Sequence, residues 1–364
     1  MKATLYGWHL SYFTGKVLCY LRYKQIPFDD QAVNLFTLTW RIKRRTGELV
    51  MPVFVTAEGE WLQESSHIID RMEADHPARP VMPAAPVQRF LAYLLEAWGD
   101  EWWVPVAMHT RWTYAENYAL FEREAGASLL PRSPTFVQRL AAAKVAKGLR
   151  GYLPAVGVRP EQFELLDAWT VDMLDLLERH FEQQQFLFGA SPSLGDFGLV
   201  GTMYGHLGRD PWPARELVGP RPHLRAWIDR MALPRPEAEH SAWHEGDQVA
   251  PTLLPILARI CSEFLPLVEG INRQVRALLP QWQKGKVLPR RLDDVELRLG
   301  DGIFRRAALP YTLWMVQRVL DCYRAMTLDE QEKLREFLAT VGGLSWLTLE
   351  LPRLQRRGLR VLCE

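Results

Sequence analysis

The chain has 364 residues, of which 48% are hydrophobic, so it is long enough for two or three domains with sizeable cores. Its 44 Lys and Arg nearly balance 43 Asp and Glu, which argues against nucleic acid or a membrane surface as main partner, since either selects a basic surplus. The apolar runs are broken by charges, so no transmembrane helix is expected, and the opening Met-Lys-Ala-Thr-Leu-Tyr-Gly lacks the apolar core of a signal peptide.

Ala3-Thr4-Leu5-Tyr6 predicts a first strand, and Val17, Leu18, Tyr20 and Leu21 recur at helical spacing, giving a helix over about 15–24. Phe28 to Val33 reads as a second strand, followed by a basic stretch from Thr39 to Gly47. Next comes Met51-Pro52 ahead of Val53-Phe54-Val55. A proline cannot donate to a sheet ladder. Pro52 either just opens the strand or forms a cis bond with Met51 that leaves a backbone edge open to a ligand, and the cis form is expected. A turn at Glu58-Gly59 and the run Trp61-Leu62-Gln63 complete a hairpin. Ser65 then caps a helix to Asp75 with Ile68, Ile69 and Met72 on one face.

Residues 1–77 thus predict a small α/β domain, closed by a proline-rich linker over 76–86. Residues 86–232 read as all-helical, with Leu166, Trp169, Met173, Leu177 and Phe181 forming one stripe, and Ser193 and Asp196 spaced as a structural cap. A second linker covers 233–248. Residues 249–364 predict a mostly helical extension with one hairpin around Gly300-Asp301-Gly302, a helix opening near Pro310, and a capping box from Thr327 and Glu330. Leu313, Trp314, Val316 and Leu320 in that extension require burial.

Ser11 sits between a strand and a helix. The first turn of a helix has N–H groups without acceptors, and these and the helix dipole stabilise an anion. A thiol there would have its pKa lowered, and a serine hydroxyl donating to the thiolate would lower it further. Ser11 is therefore either a plain cap or the activator of a bound thiol. Four separated cysteines, Cys19, Cys261, Cys322 and Cys363, show neither CxxC nor metal-ligand spacing, fit a reducing cytoplasm, and predict no metal site. Cys19 reads as core.

The serine loop entering a helix, the apolar residue before a proline at a strand start, and Glu64-Ser65 opening the next helix resemble the thioredoxin-like domain of glutathione transferases. "SLGDFGLV" and "PHLRAWIDRM" resemble their helical domain, and the likeness spans about 2–231. It implies a thioredoxin-like glutathione-binding domain, an all-α second domain and a homodimer. Ser11 then matches the residue that polarises the glutathione sulfur, Pro52 the family's cis-proline, and Met51 the backbone groups that meet the cysteinyl part. Glu64 and Ser65 match the pair gripping the γ-glutamyl end, the carboxylate taking the ammonium and the hydroxyl and helix amides the carboxylate. Serine at position 11 disfavours a mixed-disulfide mechanism. Tyr12 stands where many members carry proline, and its phenol competes with Ser11 for the sulfur. Arg41, Lys43, Arg44 and Arg45 compete for the glycyl carboxylate, with Lys16 a weaker option or a surface residue.

The implied activity is a cytoplasmic detoxifying transfer of glutathione to a small apolar electrophile. The alternatives are a non-catalytic binding module of the same fold and a glutathione-dependent lyase or reductase for one dedicated substrate. "WGDEWWVPVAMHTRWTY", broken at Pro105, offers Trp103, His109 and Trp112 with Tyr12 as pocket candidates, although aromatic residues at helical spacing also serve as core. The extension from 249 lies outside the resemblance.

Overall fold

A computed structural model of the chain describes residues 2–233, 242–283 and 285–364. It opens with β1 (Ala3–Gly7), α1 (Tyr12–Tyr23), β2 (Phe28–Ala32), a π-helical turn over Thr37–Ile42 and α2 (Lys43–Thr46). The hairpin of β3 (Val53–Val55) and β4 (Trp61–Gln63) leads into α3 (Ser65–Asp75). Helices α4 (Pro86–Trp102), α5 (Val104–Thr113), α6 (Ala115–Leu129), α7 (Thr135–Arg150) and α8 (Phe163–Gln183) follow. Then come α9 (Leu194–Thr202), α10 (Pro211–Pro213) and α11 (Pro222–Ala232). Beyond them lie α12 (Leu254–Arg259), α13 (Leu265–Leu278), the hairpin β5 (Asp294–Leu299) and β6 (Gly302–Ala307), and α14 (Pro310–Arg324). Helices α15 (Leu328–Thr340) and α16 (Ser345–Thr348) and the hairpin β7 (Leu354–Arg357) and β8 (Arg360–Cys363) end the chain. This is the expected order of a small mixed α/β domain, a helical domain and a mostly helical extension. The linker expected over 233–248 lies in part outside the described residues.

By packing, the chain divides into two interleaved units, one of Met1–Pro80, Val106–Leu153 and Leu199–His240, the other of Val81–Pro105, Pro154–Gly198 and Ser241–Glu364. In the first unit the sheet runs β2-β1-β3-β4, with β2 parallel to β1 and the other pairs antiparallel. One of its apolar clusters joins Tyr6, Trp8, Leu10 and Val53 to Trp112, Phe121 and Leu129. Sequence signals of short range hold here: Met51–Pro52 is cis, and α3 carries Ile68, Ile69 and Met72 inward.

The second unit is built on tryptophan. Trp98, Trp102, Trp103 and Trp169 meet edge to face at centroid distances of 5.1–6.1 Å, and Phe264 and Phe304 extend the stack from Trp102. Such pairs add about 0.5–1.5 kcal/mol each beyond area burial. Pro105 acts as foreseen: α4 stops at Trp102 and α5 restarts at Val104. Asp196 is the structural cap expected, accepting from the Ser193 amide and hydroxyl at 2.8 Å and from the Leu187 amide at 3.0 Å. β5 and β6 turn through Gly300 (φ +54°) and Asp301, and Thr327 and Glu330 form the capping box. Two sequence expectations need correction: the extension carries a second hairpin, β7–β8, where one was expected, and not all of the apolar runs are short. The helical run Pro251–Gln281, 31 residues, is long and apolar enough by composition to cross a membrane. Its Ile256, Leu257, Ile260, Phe264, Leu267 and Ile271 are buried in the core of the second unit.

His180 on α8 is fully buried, bonded to the Thr252 hydroxyl at 2.9 Å, and burial pushes its pKa down to about 4. An unfolded histidine titrates near 6.5. Because the folded value is depressed, the stabilisation is complete above pH ~6.5 and is lost as pH falls towards ~4, where the unfolded chain binds a proton that the fold refuses. That linkage is worth on the order of 3 kcal/mol. Urea unfolding at pH 7 and pH 4.5 should show this loss, and His180→Gln should remove most of it. An unchanged pH slope in the variant would show that His180 is not its source.

Candidate active site

Strand directions assemble the site. β1 is antiparallel to β3, and β3 to β4, so Tyr6, Val53 and Gln63 form one row across the sheet. Ser11 follows the end of β1, Met51-Pro52 precede the start of β3, and Glu64-Ser65 follow the end of β4. Three motifs separated in sequence therefore meet at one end of one sheet. The basic stretch after β2 leaves from the same end, because Gly7 pairs with Ala32.

The loop carrying Ser11 is pinned along its length. The Trp8 indole donates to the Val33 carbonyl at 2.7 Å, the Ser11 amide to the Trp8 carbonyl at 2.8 Å, and Arg111 to the Leu10 carbonyl at 2.6 Å. Ser11 caps α1, but its oxygen lies 3.4 Å from the Thr14 amide, a long bond that leaves the half-exposed hydroxyl free to donate elsewhere. His9, the local candidate base along the chain from Ser11, is held 2.7 Å from Asp30.

Glu64 has φ +79°, a strained conformation for a side chain without glycine's freedom. Its carboxylate is the N-cap of α3, accepting from the Ser66 amide at 3.1 Å and the His67 amide at 2.8 Å. The cap is thus Glu64 and not Ser65 as the sequence suggested. Ser65 becomes the first helical residue, a position whose amide has no intrahelical acceptor. Its hydroxyl lies 3.5 Å from the Glu64 carboxylate. Two of the helix amides expected to receive a ligand carboxylate are therefore already taken by Glu64.

Lys16 is neither a surface residue nor a cation for the glycyl end. It is fully buried and donates to the Ser66 hydroxyl at 3.0 Å, tying the first turns of α1 and α3 together. Arg41, Lys43, Arg44 and Arg45 are all exposed; the Arg44 guanidinium covers the Trp40 ring at 4.0 Å and that of Arg45 the Trp61 ring at 6.0 Å.

Burial corrects the aromatic candidates. Tyr12 is 7% exposed, its hydroxyl bonded to that of Thr202, and a Cβ on Gly201 would come within 2.8 Å of its ring. The phenol is locked in the core of the first unit. Trp103 is fully buried in the tryptophan stack. His109 is 1% exposed with Nδ1 3.0 Å from the Thr113 hydroxyl, and Trp112 packs on Phe121 under the Arg150 guanidinium. Aromatics at helical spacing fill the core here. Cys19 is core as expected, its thiol pushed up to about 12 by burial.

Sequence reading missed the network behind the Ser11 loop. Arg111 forms a bidentate pair with Asp210 at 2.8 Å and also donates to the Gly205 carbonyl at 2.5 Å. His206 is held neutral by burial and by Arg111, so Nδ1–H donates to the Ala107 carbonyl at 3.1 Å while Nε2 accepts from Arg111 at 3.3 Å. Gly205 has no side chain because a Cβ would lie 3.2 Å from the Ser11 carbonyl oxygen.

Residues 5–80 match the family model described as Glutathione S-transferase, N-terminal domain, and residues 160–230 the model described as Glutathione S-transferase, C-terminal domain. No curated protein matches the chain. Among solved structures it is similar to the beta-etherase LigF from Sphingobium sp. strain SYK-6, at 20% identity over 65% of this chain and 96% of that one, with TM-score 0.46. A glutathione S-transferase from Methylobacterium radiotolerans in complex with glutathione sulfonate shares 20% identity over 69% of this chain and 100% of its own, with TM-score 0.40. FzlA from C. crescentus shares 16% identity over 69% and 98%, with TM-score 0.41. Neither family model reaches beyond residue 230, and the match to the glutathione S-transferase family rests on residues 5–80 and 160–230.

Proposed function

We propose that the chain is a glutathione transferase in which Ser11 stabilises the glutathione thiolate for attack on a small apolar electrophile. The observation that carries this reading is the meeting of Ser11, Met51-Pro52 and Glu64-Ser65 at one end of the sheet. A half-exposed hydroxyl at the N-terminus of α1 donates to the sulfur, and first-turn amides with the helix dipole favour its negative charge. Serine needs a base to act as a nucleophile, and His9 is engaged by Asp30. Ser11 therefore acts as a donor and forms no covalent bond. The strained Glu64 holds its carboxylate beside Ser65, where the γ-glutamyl ammonium and carboxylate are received together. We place the enzyme in the cytoplasm as a detoxifying homodimer, with exposed Phe36, Trp40, Phe136 and Leu140 of the first unit as its apolar contact surface.

One titration series separates the roles. Ser11→Ala should bind glutathione with little change but raise the pKa of the bound thiol by about one to two units, the worth of one hydrogen bond to a charged group. Glu64→Gln keeps a capping oxygen and loses the charge, so affinity by calorimetry should fall by about 1.5–3 kcal/mol. Coincident thiolate titrations for wild type and Ser11→Ala, or a trapped adduct on Ser11, would overturn the assignment of Ser11. Unchanged affinity in Glu64→Gln would remove the γ-glutamyl site.

A further inference from the structure

The near-neutral total charge conceals a local concentration in the C-terminal region. Segment 285–292 lies against the terminal hairpin: Val287 bridges to Leu362, and the Leu288 amide donates to the Val361 carbonyl at 2.7 Å. Three extended segments thus lie side by side, and neither 285–292 nor 351–363 contains an acidic residue. Leu288, Leu354 and Val361 are buried beneath them. Arg357 and Arg360 are exposed on the opposite face of the hairpin, and Lys286, Arg290 and Arg291 are exposed along the adjoining segment. Two further arginines are engaged within the protein, Arg353 with Asp321 at 2.6 Å and Arg356 over the Trp314 ring at 5.9 Å. The nearest acids along the chain, Glu350, Asp293 and Glu364, stand beyond the ends of these segments.

Arg357 and Arg360 are direct register partners across the hairpin, and neither has an ion-pair partner among the described residues. Like charges directly opposite one another on a sheet destabilise it, so this arrangement lowers the stability of the folded chain unless an anion lies across it. Between the two arginines, at the tip of the hairpin, Leu359 is 37% exposed, and Trp282 lies half-buried beside Lys286, whose ammonium is 4.9 Å from its ring. A single-stranded nucleic acid would call for exposed aromatic platforms interleaved with the cations. A leucine tip flanked by arginines, with a tryptophan at the margin, instead has the composition of a segment that settles at a lipid interface. We propose that this basic hairpin surface docks the protein onto an anionic phospholipid bilayer, with Leu359 entering the headgroup layer and the arginines on lipid phosphates.

The test is co-sedimentation of the full chain with phosphatidylcholine vesicles, with and without phosphatidylglycerol. Wild type should sediment only with the anionic vesicles, and added salt should release it, because surface attraction decays within a Debye length. Each cation near such a surface is worth about fivefold in partition, so Arg357→Ser/Arg360→Ser should bind ~30-fold more weakly. That variant should unfold at no lower temperature than wild type, since the repulsive pair is gone. Leu359→Ser should weaken binding while leaving the salt dependence unchanged. Wild type that ignores anionic vesicles, or a double variant that binds them normally, would overturn the proposal. Tighter binding to a short DNA duplex than to vesicles at the same salt would also overturn it and reassign the surface to nucleic acid.

Discussion

Replacing Arg111 with methionine should destabilise the protein by about 3–5 kcal/mol, the usual consequence of leaving one member of a buried ion pair alone. The side chains of Arg111 and Asp210 are 5% and 0% exposed. Burial raises the Asp210 carboxyl above its ordinary pKa even with the guanidinium beside it to pull it down. Without Arg111 the carboxylate has lost its main compensation, and the carbonyls of Leu10 and Gly205 lose a donor. The pH dependence of the loss follows from the direction of that shift. A carboxyl whose folded pKa is raised stabilises the fold below the unfolded value of ~3.9, and that contribution disappears as pH rises through the folded pKa. The variant raises the folded pKa further, so its deficit should be largest at pH 7 and shrink in acid, where Asp210 can protonate. Arg111→Met/Asp210→Leu should recover part of the loss, because an apolar pair of similar volume needs no desolvation. Urea unfolding of the single and double variants at pH 7 and pH 5 measures this. A single-variant cost under ~1 kcal/mol would mean that water or another donor replaces the guanidinium.

What the sequence disclosed was local. The Glu58-Gly59 and Gly300-Asp301 turns, the Thr327–Glu330 box, the Asp196 cap and the Met51–Pro52 dipeptide each declare themselves within a few residues, and each lies where it was expected. The three segments of the candidate site come together because strand order brings their ends to one end of the sheet. Even there the register slipped by one, since a glutamate at positive φ capped α3 where a serine was the better statistical choice. Side-chain destinations were less legible. Lys16 has the pattern of a surface residue and is buried on Ser66. Trp103, His109 and Trp112 have the chemistry of a pocket, but volume and apolar area drew them into cores. Ion pairs such as Arg111 with Asp210, 99 positions apart, follow no period and leave no trace in a single sequence.

Arg318→Met should cost about 3–5 kcal/mol and Glu96→Met distinctly less, although both remove the same bond. The pair joins α4 to α14 across 222 positions, with Glu96 fully buried and Arg318 13% exposed. Arg318 lies along a cavity of about 480 Å³ with Arg89, Tyr93 and Cys322, and its guanidinium is 5.2 Å from the Tyr93 ring. Deprived of Glu96 it can turn to solvent and keep the ring. Glu96 has no such retreat. A Cβ at Gly198 on α9 would come within 2.6 Å of the Glu96 Cα, so α9 holds that stretch of α4 in place and a carboxylate that has lost Arg318 stays buried. Two further contacts bind the same helix to the extension: Arg306 donates to the Glu101 carbonyl at 3.0 Å and the Thr312 hydroxyl to its carboxylate at 2.5 Å. The segment beyond 249 is therefore part of the core that α4 requires, and weakening Glu96–Arg318 should lower the stability of the whole second unit in one transition. Chemical unfolding of both single variants and of Glu96→Met/Arg318→Met gives the coupling directly, with the double variant expected to be more stable than Arg318→Met alone. Equal costs for the two single variants, or an early separate transition for the extension, would show that α14 rests on α4 without being needed by it.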